Sequence, residues 1–555
     1  MLKAMNILLI DGAVLLAPLR EAGHNVLHFS PPEAGSADLR DILKGRDFAP
    51  DLILQAEHLG RRLLLRGLPA ANCPKIFWAI DSHLNLWWHR YYARLFDAVL
   101  TPHPSLWRAL PPEWSHPRLH HFTKPGTARP FKPHRERSHL LSLVGVLNEH
   151  RYLRLKLAEL LKIRWGAAAR QGLSFAEMLD LYDDTRIIPN ESIAREVNFR
   201  LMEAASCGAV PLTQDVGPDQ DDLFTPGEES LVYRDAEELI AHIEALIADP
   251  ERAERIGRAA WERVQREHLP GRRAAQIEEI ARALIAEKEA AGNAAHSAAR
   301  NDEPGILWLC AAQMHRSWHA ADRPAALLAQ AESLPQTPEI LAYRLRLAAE
   351  YNGASAALPA LEQILAQNLH RGDLDLNLAC SLIAARTKDF ALALQFWLRQ
   401  SLYGKAAQKP APGRAAAKPA NLYELCLAWA DLLAKAGRKA QLGMTVNSAS
   451  GIPECAWTTL ILAQNFAPGQ TPAADLPRLD KIEALSANIK GLEYYHLGYI
   501  AQVCLARPDD WRSQMRYAEA CLQTFRLEEG LAERAQAEAK RDAMRGSVGL
   551  KGRAP

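Results

Sequence analysis

The residues best placed to do chemistry lie in the segment NFRLMEAASCGAVPLT, which begins at Asn198. This pattern predicts a short helix that ends at Gly208, because glycine commonly stops a helix in the left-handed conformation, followed directly by an apolar strand. Asn198, Arg200 and Glu203 stand near the amino end of the predicted helix. A carboxylate there can accept hydrogen bonds from two sugar hydroxyls, and the helix dipole favours an anion nearby. A site that binds both a ribose and a phosphate would bind a nucleotide. The alternative is that these residues form an ordinary solvated helix face.

Two further segments carry groups of the same kind. VGVLNEHR follows a predicted strand, so Gly145 would let backbone amides approach a diphosphate while Arg151 supplies a cation. The alternative is a plain strand-to-helix turn with a solvated arginine. In RIIPNESIAREVNFR, Asn190 ends a predicted strand, where it would contact a base or phosphate or else cap the following turn.

The segment WAIDSHLNLWWHRYY places titratable groups at the end of another predicted strand. Asp81 and His83 would lie at the carboxyl edge of the sheet, and Trp87, Trp88 and Tyr91 follow them. The aromatic rings offer faces on which sugars stack, but clusters of this kind more often belong to the core.

The elements around these residues predict parallel sheets. In the first part of the chain, strands alternate with helical stretches, which favours right-handed crossovers and a Rossmann-like domain. The predicted strands cover residues 6–10, 25–29, 51–54, 75–80, 98–100, 140–146, 185–188, 210–213 and 231–233. Only Gly12 follows the first strand closely, so the GxGxxG fingerprint is absent and a dehydrogenase is disfavoured.

Three domains follow from changes in composition. The Gly- and Pro-containing segment KPGTARPFKPH separates a first α/β domain, residues 1–135, from a second, residues 136–290. Beyond the connector at 290–301, Ala- and Leu-rich helix pairs recur at roughly the 34-residue period of tetratricopeptide repeats, which predicts an α-solenoid over residues 304–545. The insertion from Gly404 to Pro419 lacks apolar periodicity and is predicted to be a mobile loop.

Composition excludes several classes of function. The 555 residues include 66 basic and 65 acidic ones, so no overall field points to nucleic acid or an anionic membrane. Eight cysteines form no CxxC pair, which argues against a zinc site and a disulfide framework. No apolar run reaches the roughly 18 residues of a membrane span, and the segment MLKAMNILLID is too short and too soon acidic to predict a signal peptide. We therefore expect a cytoplasmic protein.

The segments together resemble a known enzyme family. The block from Asn198 to Gly208 precedes GEESLVYRDAEEL, at residues 227–239, and the helical segments DPERAERIG and WERVQREH. This order is similar to the carboxyl-terminal half of two-Rossmann (GT-B) glycosyltransferases, in particular the CgeB-like branch named for a spore-coat maturation protein. The resemblance covers about residues 1–290.

The resemblance implies roles for the candidate residues. Donor-binding residues would be Gly145, Arg151, Asn190, Asn198, Arg200, Glu203 and Gly208. The catalytic candidates would be Arg151, which stabilises the leaving group, with Asp81 and His83 at the acceptor. Asp81 would act as general base if configuration inverts, whereas the departing phosphate would take the proton if it is retained. A clear second acidic residue facing the sugar is missing, with Glu191 and Glu196 as loose candidates.

The function implied is metal-independent transfer of a sugar, of hexosyltransferase type, from a nucleotide-sugar donor, with no cofactor. A helical-repeat domain suits a macromolecular acceptor, so a protein acceptor is a candidate partner. Two alternatives remain: an inactive interaction scaffold that keeps the transferase shape, and a nucleotide-sugar epimerase or hydrolase.

Overall fold

The structure is a computed structural model that describes residues 4–58, 60–167, 169–291, 297–314, 323–404, 418–440, 452–487, 489 and 491–551. It divides into two compact units, each made of two stretches of chain. Unit 1 comprises Met1–Phe122 and Ala274–Pro468, and unit 2 comprises Thr123–Arg273 and Gly469–Pro555.

The described residues include fourteen strands and 23 α-helices. The strands are β1 (Asn6–Ile10), β2 (Asn25–Phe29), β3 (Gly35–Asp38), β4 (Leu52–Ala56), β5 (Leu63–Arg66), β6 (Lys75–Trp78), β7 (Ala98–Thr101), β8 (Leu119–His121), β9 (His139–Leu141), β10 (Leu143–Val144), β11 (Ala169–Arg170), β12 (Thr185–Asn190), β13 (Val210–Gln214) and β14 (Leu231–Tyr233). The helices are α1 (Leu16–Glu21), α2 (Leu39–Leu43), α3 (Ser82–Tyr92), α4 (Pro104–Arg108), α5 (Tyr152–Trp165), α6 (Phe175–Asp183), α7 (Phe199–Ser206), α8 (Pro218–Asp221), α9 (Ala236–Ala248), α10 (Pro250–Arg263), α11 (Pro270–Ala291), α12 (Ser297–Met314), α13 (Arg323–Glu332), α14 (Pro338–Tyr351), α15 (Leu358–Ala366), α16 (Leu374–Arg386), α17 (Phe390–Tyr403), α18 (Leu422–Lys435), α19 (Ala456–Ala463), α20 (Leu476–Ala487), α21 (Glu493–Ala506), α22 (Trp511–Gln523) and α23 (Leu527–Lys551).

Unit 1 is built on a six-stranded parallel sheet in the order β2-β1-β4-β6-β7-β8, beside a two-stranded parallel pair of β3 and β5. The central strands are buried on both faces, as expected for a parallel sheet covered by helices. Because parallel strands end at one edge, the residues after β1, β4 and β6 share that edge. Helices α12 to α19 complete this unit.

Unit 2 contains a four-stranded parallel sheet in the order β14-β13-β12-β9 and a parallel pair of β10 and β11. Its core is formed by apolar residues of the strands, α5, α9 and α10, and it includes Phe525 from the segment between α22 and α23. Helices α20 to α22 share a core cluster of their own within this unit, and Phe525 and Leu527 connect them to the core of the sheet.

The predicted fold class, parallel α/β followed by a mostly helical region, is confirmed. One predicted strand differs: residues 140–146 form β9 and β10 in two separate sheets, because the chain changes its pairing partner from β12 to β11 at Ser142. The repeat character of the helices and the domain boundaries at 135, 290 and 545 stay predictions. Residues 405–417 of the predicted loop and 292–296 of the predicted connector lie outside the described residues.

Candidate functional site

The loop between β10 and α5 brings two arginine side chains against the backbone. A Cβ atom at Gly145 would lie 2.8 Å from Arg200 Nη2 and 2.9 Å from Arg154 Nη1. Both distances are shorter than real Cβ contacts, so only glycine leaves room for the two guanidinium groups. Gly145 thus permits cationic groups to gather at the carboxyl end of β10.

Arg200 is buried in the first turn of α7, and its hydrogen bonds go to the protein itself. Its Nε and Nη2 donate to the carbonyl oxygen of Val144, over 3.1 and 2.6 Å. Its Nη1 donates to Asn190 Oδ1 over 2.6 Å. The arginine that the sequence marks as a donor contact therefore joins α7 to the ends of β10 and β12.

Asn190 also forms its hydrogen bonds within the protein. Its amide nitrogen donates to Thr213 Oγ1 over 3.0 Å and to Ser192 Oγ over 3.3 Å. Its carbonyl oxygen accepts from the Tyr233 hydroxyl over 2.8 Å. Asn190 is 2% exposed, so it holds the ends of β12, β13 and β14 together from within.

A buried ion pair that the sequence reasoning missed supports this arrangement. Arg154 Nε donates to Glu191 Oε2 over 3.0 Å, and both side chains are almost fully buried. Burial lowers the pKa of Arg154, and the nearby charges of Arg200 and Arg151 lower it further, while Glu191 opposes the shift. The pair leaves no local signal in the sequence, because 37 residues separate Arg154 from Glu191.

Arg151 is the member of this cluster with spare hydrogen-bonding capacity. It is the residue immediately before α5, and its side chain is partly buried. Its Nη1 atom is buried and has no hydrogen-bond partner among the residues that the structure describes. A buried guanidinium nitrogen without a partner is costly, so this atom is suited to an anionic ligand.

Two carboxyl groups stand beside the arginines. Asn198 caps α7 by accepting from the Arg200 amide over 2.9 Å, and its own amide donates to Glu196 Oε2 over 3.2 Å. Burial raises the pKa of Glu196, although Arg151, Arg154 and Arg200 oppose the shift. The pKa of Glu203 is also raised by burial, against the charges of Arg200 and Lys124.

The cluster combines three guanidinium groups with three carboxyl groups. Arg151, Arg154 and Arg200 lie with Glu191, Glu196 and Glu203, and burial raises the pKa of both Glu196 and Glu203. Guanidinium groups bind phosphate oxygens well because of their forked geometry. The arrangement can therefore bind a phosphate or diphosphate through Arg151, with Glu203 nearby on α7 to accept from hydroxyls.

Gly208 follows the other end of α7, a helix of eight residues that is roughly 12 Å long. Its φ of +69° ends the helix, as the sequence predicts. A Cβ atom there would lie 2.7 Å from Phe131 Cδ2, and His134 Nε2 donates to the Gly208 carbonyl over 2.9 Å. The structure thus places Gly208 among packing partners, apart from the arginine cluster.

In unit 1, Asp81 and His83 follow β6 at the carboxyl edge, as predicted. The Asp81 amide donates to Glu57 Oε2 over 2.7 Å, at the start of α3. His83 is buried, with its ring 4.9 Å from the ring of His103. Sequence reasoning missed Glu57 and His103, although Glu57 directly follows β4 and His103 comes two residues after β7.

Glu57 accepts hydrogen bonds from the start of α3. Asn85 donates to its Oε1 over 2.6 Å, and His89 Nε2 lies 3.2 Å from the same oxygen. Burial alone would raise the pKa of Glu57, but the His89 imidazole and the hydrogen bonds lower it below its usual value. The carboxylate therefore fixes the start of α3, which carries Asp81 and His83.

The aromatic residues after Asp81 belong to the core of unit 1. Trp87, Trp88 and Tyr91 are each at most 4% exposed, so their faces are covered by protein. The packing interpretation of this cluster, rather than sugar stacking, agrees with the structure.

Among the described residues, no three His, Cys, Asp or Glu side chains gather closely enough to bind a metal ion. Nor does any helix within the described ranges have the length and apolar character to cross a membrane.

Comparison with known proteins bears on the same region. Residues 135–279 match a family model described as Glycosyl transferase-like. This stretch contains every candidate residue from Gly145 to Gly208, and the match supports sugar transfer as its activity. No curated protein matches the chain.

Several solved structures are similar to the chain at low identity. Sucrose-phosphate synthase from Thermosynechococcus elongatus is 14% identical, with a TM-score of 0.37, and the match covers 51% of this chain and 100% of that one. A glycosyltransferase from Rickettsia africae is 12% identical over 51% of this chain and 99% of that one, with a TM-score of 0.36. The glycosyltransferase SnogD from Streptomyces nogalater is 13% identical over 50% and 100%, with a TM-score of 0.29.

Proposed function

We propose that this protein is a glycosyltransferase that holds the diphosphate of a nucleotide-sugar donor at the arginine cluster of unit 2. The observation that carries the proposal is the buried Nη1 of Arg151, which has no hydrogen-bond partner in the described part of the chain. Arg154 and Arg200, fixed by Glu191 and Asn190, add positive charge around it. The family match over residues 135–279 also supports sugar transfer.

The proposed chemistry is displacement at the anomeric carbon of the donor. The bond from sugar to phosphate breaks, the diphosphate leaves with the electron pair, and an acceptor hydroxyl oxygen forms the new bond. Negative charge develops on the diphosphate in the transition state, where a preorganised guanidinium stabilises it more than in the ground state. Arg151 would supply that charge without a metal ion, and Glu203 would accept from the ribose hydroxyls.

The acceptor hydroxyl must transfer its proton to a base during the reaction. Asp81, with His83, is the proposed base if the configuration inverts, and Glu57 and Asn85 fix the helix that carries both. If the configuration is retained, the departing phosphate takes the proton. We further propose, from the sequence resemblance, a CgeB-like hexosyltransferase in the cytoplasm, with a protein acceptor bound by tetratricopeptide-like repeats.

The test is calorimetric binding of uridine, guanosine, cytidine and thymidine diphosphates and of their sugars to the full chain. Arg151→Ala should abolish saturable binding of the preferred nucleotide, and Glu203→Ala should weaken it. Arg135→Ala is the matched control, because the Arg135 side chain is 83% exposed on the same unit. If no nucleotide binds the wild type, or if Arg151→Ala binds as well as Arg135→Ala, the proposal fails.

Transfer itself needs a second measurement. The preferred nucleotide sugar, incubated with the protein and no added acceptor, should give at most slow hydrolysis. Conversion to an epimeric nucleotide sugar under these conditions would replace the transferase proposal with an epimerase.

A further inference from the structure

Three tyrosine rings form an exposed aromatic surface on unit 2, here called the tyrosine platform: Tyr152, Tyr494 and Tyr495. The ring centroids of Tyr152 and Tyr494 lie 4.9 Å apart, and those of Tyr494 and Tyr495 lie 5.7 Å apart. Tyr494 is 50% exposed and Tyr495 is 38% exposed. By contrast, Tyr182 and Tyr233 of the same unit are fully buried, so the platform leaves ring surface open to solvent.

The platform is linked to the proposed diphosphate site through the chain, at the start of α5. Tyr152 is the first residue of α5 and directly follows Arg151. Two residues joined by a peptide bond have Cα atoms 3.8 Å apart, so the backbone that carries Tyr152 adjoins that of Arg151. Tyr494 and Tyr495 come from the first turn of α21, more than 300 residues later in the chain.

The helices that carry Tyr494 are anchored to the sheet of unit 2. Phe525 packs in the main core cluster, with its ring 6.0 Å from that of Tyr233 on β14. Arg534 Nη2 of α23 donates to Glu237 Oε2 of α9 over 2.7 Å. The platform is thus a fixed part of the unit that contains the arginine cluster.

Two cations lie near the platform, each paired with a carboxylate. Lys156 Nζ lies 5.8 Å from the centroid of the Tyr152 ring and 2.7 Å from Glu159 Oε2, and Arg526, near Tyr152, pairs with Glu529 over 2.9 Å. Aromatic faces bind planar rings by stacking, and cations attract a ligand that carries negative charge. A nucleotide combines both features, because its ribose joins a planar base to the phosphates.

We propose that the tyrosine platform stacks the base of the donor nucleotide, whose diphosphate is bound by Arg151. The inference rests on the proposed function, and it assigns part of the donor site to the carboxyl-terminal helices. Stacking is tolerant of base identity, so the platform contributes affinity for any nucleoside diphosphate more than choice among bases.

The experiment compares two ligands by calorimetry on the full-length chain: inorganic pyrophosphate, which has no base, and the preferred nucleoside diphosphate. Tyr494→Ala should weaken nucleoside diphosphate binding roughly 5- to 100-fold, as expected for one stacked base, and leave pyrophosphate affinity unchanged. Tyr494→Phe keeps the ring and should bind like the wild type. Tyr351→Ala is the control, because Tyr351 is also 50% exposed but belongs to unit 1.

Each contrary result identifies what has failed. Unchanged nucleoside diphosphate affinity in both Tyr494→Ala and Tyr495→Ala overturns the platform but leaves the arginine site standing. Equal loss of pyrophosphate and nucleotide binding in Tyr494→Ala also overturns base stacking. If Arg151→Ala still binds both pyrophosphate and the nucleoside diphosphate, the proposed function is overturned instead. Circular dichroism melting checks that each variant is folded.

Discussion

Arg200 Nη1 donates to Asn190 Oδ1 over 2.6 Å, which joins the first turn of α7 to the last residue of β12. The same guanidinium also donates to the Val144 carbonyl at the end of β10. One side chain therefore fixes three elements of unit 2 at the edge where the arginine cluster lies.

Replacing Arg200 should affect stability before it affects ligand contact. Arg200→Ala leaves the buried Val144 carbonyl and the Asn190 amide oxygen without their donors, at a cost of roughly 2–4 kcal/mol. Arg200→Lys keeps the charge but cannot reach both acceptors. Its stability should therefore lie between that of the wild type and that of Arg200→Ala. The thermal unfolding midpoint measures the stability of both Arg200 variants, with Arg135→Ala, at an exposed side chain, as control. An unchanged midpoint with lost nucleotide binding would show that Arg200 serves the ligand instead.

Gly145→Ala should disturb the arginine cluster directly. The added methyl group would meet Arg200 Nη2 at 2.8 Å and Arg154 Nη1 at 2.9 Å, so at least one guanidinium must move. Overpacking of this kind costs roughly 1–3 kcal/mol. We expect at least tenfold weaker pyrophosphate binding by calorimetry together with a lower unfolding midpoint.

The matched control for that substitution is Gly271→Ala, since a Cβ atom at Gly271 meets no atom within 4 Å. Gly271 lies in the first turn of α11, where alanine favours the helix. This variant should bind pyrophosphate like the wild type and melt no lower. Normal pyrophosphate binding in Gly145→Ala would mean that the guanidinium positions are not critical.

Much of the fold could be predicted because strand and helix patterns are local. β1, β2 and β14 have the predicted bounds, since each is a short apolar run between turn residues. The change of partner at Ser142 could not be predicted, because it depends on β11, a two-residue strand more than 20 positions away. Likewise, an Ala- and Leu-rich helix pattern does not reveal that α21 packs with unit 2.

The candidate site was predicted by residue type but not by role. Arg200 and Asn190 were marked by their positions at a helix start and a strand end, yet they bond to each other. Arg154 and Glu191 were not paired in the sequence reasoning because 37 residues separate them. Local spacing indicates which polar residues reach an edge, whereas packing decides which of them stay available for a ligand.

Unit 2 should lose stability on acidification through buried histidines. Burial lowers the pKa of His134, His268 and His496 to about 4, from the ordinary 6.5. These rings are neutral in the folded protein at pH 5, whereas the unfolded chain binds protons as pH falls below 6.5. Stability is therefore complete above pH 6.5 and falls toward pH 4, by about 2 kcal/mol per histidine at pH 5.

The measurement is the thermal midpoint between pH 7 and pH 5 for the wild type and His268→Gln. Glutamine retains a donor for the Leu223 carbonyl, which His268 Nε2 contacts over 3.2 Å, but it does not titrate. The midpoint should fall less on acidification in this variant. His139→Gln, at a side chain that is 44% exposed, should respond like the wild type. An equal fall in all three proteins would mean that other groups control acid unfolding.

Phe525→Ala should detach the carboxyl-terminal helices from the sheet of unit 2. Phe525 is 4% exposed and packs beside Tyr233, so its truncation should cost roughly 3–5 kcal/mol. That cost falls on the contact between α20–α23 and the sheet, and local opening there should precede global unfolding. Amide hydrogen exchange in α21 should become faster, while exchange in β12 and β13 should change less.

The same variant separates the two parts of the proposed donor site. Pyrophosphate binding depends on Arg151, Arg154 and Arg200 and should persist in Phe525→Ala, whereas nucleoside diphosphate binding should weaken because Tyr494 is no longer held beside Tyr152. Phe175→Ala, at a ring that is 58% exposed on α6, should change neither. If α21 exchanges at the wild-type rate in Phe525→Ala, then contacts such as Arg534 with Glu237 suffice to anchor these helices, and the base-binding surface does not depend on Phe525.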